Sequence, residues 1–221
     1  MKRKNIVLTF DDACTNHLTM VVPLLKKLGF GATFFISRPA HWLEKFPGAF
    51  LNPGEIAEIS RAGFEIGNHT LNHPDLRSKS DDECRSELQK LNEFFAENGI
   101  PRPVSFAYPG GPYAANAVPL LAEANLHYAR TTEHALWDKK STDPMRIPCY
   151  AICDQESGAF DEALAELDKN PDAAAVLLYH GVPDEPHPWC STAWELFEKQ
   201  MHHLAAAGYR VSSMTNYGDL Q

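Results

Sequence analysis

Short apolar runs alternate with amphipathic stretches along almost the whole chain. Residues 6–8, 31–37, 64–67, 104–108, 127–130, 146–152, 174–179 and 209–211 are too short for helices and rich in β-branched and aromatic side chains. They predict buried strands. Helical spacing over 18–28, 52–62, 80–97, 114–124, 160–169 and 194–207 predicts the intervening helices. Gly29, Asn98-Gly99 and Gly208 act as stops, and Ser80 with Glu83 forms a capping box. Strand and helix in strict alternation with short loops is the pattern of parallel βαβ units. About seven of them closing on themselves predict an α/β fold, a distorted (β/α) barrel with active groups at the C-terminal strand ends. No internal repeat and no Pro-, Gly- or Ser-rich linker divides the chain, so residues 1–221 are expected to form a single domain.

Composition narrows the partners. Of 221 residues, 44% are hydrophobic and 22% charged, an ordinary globular balance. The formal charge of −9 argues against nucleic acid or an anionic membrane as main partner and favours a neutral or cationic substrate. No apolar run approaches the roughly 20 residues of a membrane helix. Met1-Lys2-Arg3-Lys4 resembles the start of a signal peptide, but the apolar run behind it stops at Asp11. The sequence as it stands predicts a cytoplasmic protein, or an envelope or secreted one if a leader has been removed. Five cysteines without regular spacing fit reduced thiols. Cys149 and Cys153 are expected to be buried and free, and Cys14 to lie near the carboxylates described next.

Four stretches carry chemistry. The first strand runs into Thr9-Phe10-Asp11-Asp12, and two adjacent carboxylates at the end of a buried strand each need a cation, a donor or water. Asp12 could instead cap a helix. The third strand runs into Asn68-His69-Thr70-Leu71-Asn72-His73-Pro74, with two histidines at ligand spacing. Two histidines and one carboxylate make a three-ligand site with open positions, suited to a catalytic Zn²⁺ or to the Fe²⁺ of an oxygenase. A second carboxylate that can act as base favours a hydrolase. Leu178-Tyr179-His180 ends the most apolar strand, placing a possible general acid at a strand end. Phe106-Ala107-Tyr108-Pro109-Gly110-Gly111 ends the fourth strand, with backbone N–H groups that could hold an oxyanion.

In this order the stretches resemble the polysaccharide deacetylases, the NodB-homology fold of carbohydrate esterase family 4. The resemblance implies Asp11 as catalytic base; Asp12, His69 and His73 as ligands of a divalent metal, Zn²⁺ first and Co²⁺, Ni²⁺ or Mn²⁺ as alternatives; and His180 as general acid. It implies an N-acetylhexosamine glycan as substrate, with Tyr108, Pro109 and Gly110 at the oxyanion and substrate side. Where the family's third motif carries an Arg that orients the catalytic Asp, this chain has Ala107; its Tyr is replaced by Gly110, and Ala13 replaces a frequent Gly. Arg146 is the expected substitute partner of Asp11. Trp137 and Trp189 are the candidates for the wall that receives the acetyl methyl, and the loops 37–52 and 182–191, with Trp42, His187 and Trp189, are the expected substrate-choosing segments. The lost Arg leaves room for an amidohydrolase of the same fold acting on a small non-sugar amide. A sugar-binding relic and a facial-triad oxygenase are further rivals; the oxygenase leaves Asp11 and His180 without a role.

Overall fold

The first strand, β1 (Asn5–Phe10), is buried at all six positions because it is flanked by neighbours on both sides. It pairs in parallel with β2 (Thr33–Ile36) and, over its full length, with β7 (Ala174–Tyr179). A strand covered on both edges and both faces has no polar side, which is why its sequence reads as a continuous apolar run. The computed structural model describes residues 3–113, 115–156 and 158–220. Met1 and Lys2 of the basic N-terminus and Ala114, the expected start of a helix, lie outside these residues.

The sheet runs β5 (Tyr128–Arg130), β4 (Ser105–Ala107), β3 (Glu65–Asn68), β2, β1, β7, β6 (Tyr150–Ala151), all parallel, and β8 (Arg210–Ser212) joins the first half of β1. The two ends of this path meet. Ile147 bridges Arg130 of β5, while Tyr150 and Ala151 pair with β7. The sheet therefore curls into the expected distorted barrel. The same crossing explains why 146–152 is not one continuous strand. The segment changes partner midway, at Pro148, which has no N–H to give to a ladder.

Among the described residues, α1 (Val22–Leu28), α2 (Ala40–Lys45), α3 (Pro53–Arg61), α4 (Asp81–Glu97), α5 (Ala117–Glu123), α6 (Ala159–Lys169) and α7 (Trp194–Ala206) cover the barrel, followed by a short α8 (Met214–Gly218). Asn52 with Glu55 and Ser80 with Glu83 form complete capping boxes at α3 and α4. The helix expected over 18–28 begins instead as a wide π-turn, His17–Val21, ahead of Pro23. Helices α2 and α8 were not legible: each is under two turns long and lacks a full apolar stripe.

At the N-terminal end of the barrel, half-buried Glu65 gathers β2, β4 and α8. Its Oε1 accepts from Ser105 Oγ and Thr215 Oγ1, and its Oε2 accepts from Thr33 Oγ1 at 2.9 Å and the Thr215 N–H at 3.0 Å.

Candidate active site

Parallel register brings the chemistry to one end. Phe10 lies opposite both Phe34 and Tyr179, Asn68 opposite Ile36 and Phe106, and Ala107 opposite Arg130. The ladder then continues by one hydrogen bond past each strand: Asp11 N–H to Tyr179 O, His69 N–H to Ile36 O and Tyr108 N–H to Arg130 O, each 3.0–3.1 Å. The next residue along β7 is His180. Asp11, Asp12, His69, His73 and His180 thus line one cavity of about 400 Å³ at the C-terminal mouth, with Tyr108 and Gly110 on its wall. Among the described residues, concavities of about 680 Å³ beside His134 and about 480 Å³ between α4 and α5 bring together no comparable set of metal-donor atoms.

The backbone at this mouth is bent into rarely occupied conformations. Asp12 (φ 70°), Ala13 (56°), Thr70 (62°) and His73 (52°) all adopt left-handed geometry, which costs non-glycine residues roughly 1–2 kcal/mol each. Surrounding bonds hold it: Leu51 N–H to Ala13 O at 2.8 Å, Thr70 N–H to Asn68 Oδ1 at 2.9 Å and His73 N–H to Thr70 Oγ1 at 3.1 Å. Ala13 occupies a conformation natural to glycine, so the Gly-to-Ala departure noted in the sequence falls where glycine is cheapest.

Asp12 caps no helix. Its Oδ1 is buried without a hydrogen-bond partner, 3.7 Å from His69 Nε2 and 3.8 Å from His73 Nε2. Donor atoms of these three residues lie within 4.8 Å of one another, a group among the described residues that could hold a metal ion. Two tetrahedral ligands each about 2.1 Å from a Zn²⁺ stand about 3.4 Å apart, close to these spacings. The His69 Nδ1–H donates to Ala107 O at 2.7 Å, which leaves Nε2 as a lone pair facing Asp12, the usual outer support of a metal-binding histidine. Burial holds His69 neutral, its pKa down to about 4, and His73 down to about 3. Burial, then the Asp11 and Asp184 carboxylates, push Asp12 well up in the absence of a cation. A buried, unpartnered carboxylate beside two neutral imidazoles fits a divalent cation.

Asp11 is a different kind of carboxylate. Burial alone would raise its pKa, but Arg130, with His69 and His180 behind it, reverses the sign and holds it low. Arg130 Nη2 donates to Asp11 Oδ1 at 2.6 Å, from a fully buried guanidinium whose face lies 5.5 Å from the Phe35 ring centre. Arg130, and not Arg146, is thus the partner that replaces the missing Arg at Ala107. Arg146 points outward, pairs with Asp143 at 3.5 Å and covers the Tyr113 ring. The sequence carries one signal of this pairing, an Arg as the last residue of a buried strand, at the same kind of strand end that the Asp pair follows in β1.

His180 Nε2 stands 4.0 Å from Asp12 Oδ2, and burial lowers its pKa. The Gly110 N–H makes no hydrogen bond among the described residues, whereas the Tyr108 hydroxyl donates to Met145 O and serves packing. Pro109 is buried behind the loop and does not line the cavity. Trp137 is also absent from the site. It pairs with Ala174 at the start of β7, the opposite barrel end, and packs on Tyr217 with ring centres 4.8 Å apart. Trp189 does line the cavity and is 63% exposed; Trp42 and His187 line it too. All five thiols are free, Cys149 and Cys153 buried, and Cys14 donates to Asp184.

The sequence profile described as polysaccharide deacetylase matches residues 1–129. The peptidoglycan-N-acetylmuramic acid deacetylase PdaA of Bacillus subtilis is 38% identical over 93 residues, 42% of this chain and 32% of the relative. A peptidoglycan-N-acetylglucosamine deacetylase of Bacillus cereus is 30% identical over 182 residues, 82% of this chain and 57% of the relative. The chain spans only about a third to a little over half of these relatives. A solved pseudoenzyme of carbohydrate esterase family 4 from Bacillus anthracis shares the fold, with a TM-score of 0.65, 23% identity, and coverage of 99% of this chain and 67% of that one. With its profile match reaching over more than half of its length, the chain belongs to the polysaccharide deacetylase family.

Proposed function

We propose that the chain is a metal-dependent N-deacetylase that removes acetyl groups from N-acetylhexosamine-containing glycans, of the kind named for its peptidoglycan-deacetylating relatives. The observation that carries this reading is the contrast between two adjacent carboxylates: Asp11 paired and held ionised, Asp12 unpaired and facing two neutral histidines. A divalent metal held by Asp12, His69 and His73 would polarise the acetamide carbonyl and acidify a water. Asp11, oriented by Arg130, accepts the proton of the attacking water. The free Gly110 N–H offers a hydrogen bond to the oxyanion. His180 gives a proton to the departing amine; burial that lowers its pKa makes its protonated form a readier donor. Trp189 and Trp42 flank the cavity with apolar faces suited to a pyranose ring.

The family also contains a pseudoenzyme, so the fold alone does not carry activity. Here each chemical role has a residue, the orienting Arg included. That weakens the small-amide reading, which drew part of its support from the missing motif Arg. Acetate release from N-acetylglucosamine oligomers, with added Zn²⁺, with chelator and with Asp11→Asn, is the test. Metal-dependent release lost in the variant is expected. No release from any oligomer, together with turnover of a small amide, would move the assignment to the rival.

A further inference from the structure

The two histidines beside Asp12 are held in different ways. The His69 ring is buried and fixed by its bond to Ala107 O. The His73 side chain is 23% exposed, and its ring makes no hydrogen bond to the described residues; the bond from its N–H to Thr70 fixes the main chain only. What confines the His73 ring is aromatic packing, with Trp42 at 5.1 Å between centres on one side and His69 at 4.8 Å on the other.

Trp42 is itself braced. It stacks on Phe50 at 5.6 Å and meets the His187 ring edge-on at 4.7 Å. His187 is clamped in turn by Asp184, whose Oδ1 accepts the His187 N–H at 2.8 Å and lies 3.5 Å from its Nδ1. Asp184 is anchored by the Gly181 N–H at 3.1 Å, and its own N–H donates to Ser191 Oγ. The strut runs from the loop after β7, through Trp42 of α2, to His73 of the loop after β3.

We propose that Trp42 is a positioning residue that fixes the His73 imidazole for metal binding, and that His187, held by Asp184, braces it. This rests on reading Asp12, His69 and His73 as a metal site. Outer-shell contacts that orient metal-binding histidines typically change affinity by about 10- to 100-fold when removed. Here that support is a tilted ring-on-ring contact in place of a hydrogen bond.

The test is Zn²⁺ affinity, measured by competition with a chromophoric chelator and therefore independent of turnover. Trp42→Ala is expected to weaken binding about tenfold or more, Trp42→Phe to restore most of it, and His187→Ala to weaken it by a smaller factor. Circular dichroism of the metal-free proteins reports folding, and His187→Ala keeps the test available if Trp42→Ala does not fold. Unchanged affinity in both alanine variants, with wild type binding one Zn²⁺ that Asp12→Asn does not bind, overturns the strut while leaving the metal site standing. No binding by the wild type overturns the metal reading itself.

Discussion

Arg130 reaches Asp11 across the mouth of the barrel, from a strand that is not a neighbour of β1. The two residues are 119 positions apart, both are buried, and each is the main compensation for the other's charge. Removing one member of such a pair strands the other.

Arg130→Met is therefore expected to cost about 3–5 kcal/mol of stability and to raise the pKa of Asp11. Activity should fall, and the acidic limb of its pH profile should move upward. Urea unfolding and a pH–rate profile measure the two effects. A variant of wild-type stability and an unmoved profile would mean that the pair does not set the charge of Asp11.

Asp11→Asn and His180→Ala are expected to lower turnover by about 10²–10⁴ each, the range for a lost general base or acid, without unfolding the protein. Initial rates on N-acetylglucosamine oligomers, with circular dichroism as a control, decide this. Near-wild-type turnover in either variant removes that residue from the reaction.

The metal-free protein should lose stability as pH falls from about 6.5 towards 4. Burial holds His17 near 4, His69 near 4 and His73 near 3, below their ordinary 6.5. Across that window the unfolded chain binds protons at these sites that the folded chain refuses, so folding weakens on acidification. Each histidine contributes up to about 1.4 kcal/mol per pH unit. Asp12, raised, acts in the opposite sense because the folded state keeps a proton that the unfolded chain releases above 3.8. Three histidines against one carboxylate leave a net loss on the acid side. Urea midpoints in chelator at pH 7 and pH 5 measure it; equal midpoints would contradict neutral buried histidines.

Zn²⁺ should stabilise the wild type by about 2.7 kcal/mol at one hundred times its dissociation constant. Asp12→Asn and His73→Ala should show a much smaller shift. Thermal melts with and without the ion read this directly.

Glu65→Ala is expected to cost about 2–4 kcal/mol, since it strips hydroxyl and N–H donors on three elements of their shared acceptor. Glu65 sits at the barrel end opposite the cavity, so activity below the melting range should stay within about twofold. A large loss of turnover at unchanged stability would contradict a purely structural clasp.

The fold was largely legible because β1 and β7 are covered on all sides and their apolar runs admit no other reading. Asp11, Asp12, His69 and His73 could be found because each pair is local in sequence and follows a strand. Arg130 escaped because its partner lies on a distant strand, and a strand-ending Arg looks like any surface Arg. Trp137 and Trp189 could not be told apart by residue type. Only topology puts one at the start of β7 and the other beside its end. Residues 146–152 do not form the single strand their local propensity predicts, because propensity does not reveal that the segment changes partners at Pro148.

The place of β1 in the sheet has a consequence for how the chain acquires its chemistry during synthesis. Of the strands in this sheet β1 is made first, and it is flanked on one side by β7 and, over its first half, on the other by β8, the two strands of the sheet made last. Until residues 174–212 emerge, β1 presents an unpaired apolar edge, the kind of surface that invites wrong partners. Asp11 then has no neighbouring His180. The nascent chain can carry Asp11, Asp12, His69 and His73 well before β7 emerges and still hold no complete cavity. The proposed site is assembled only when the sheet closes, and a truncation that keeps Asp12, His69 and His73 but drops β7 is expected to leave a chain prone to aggregate.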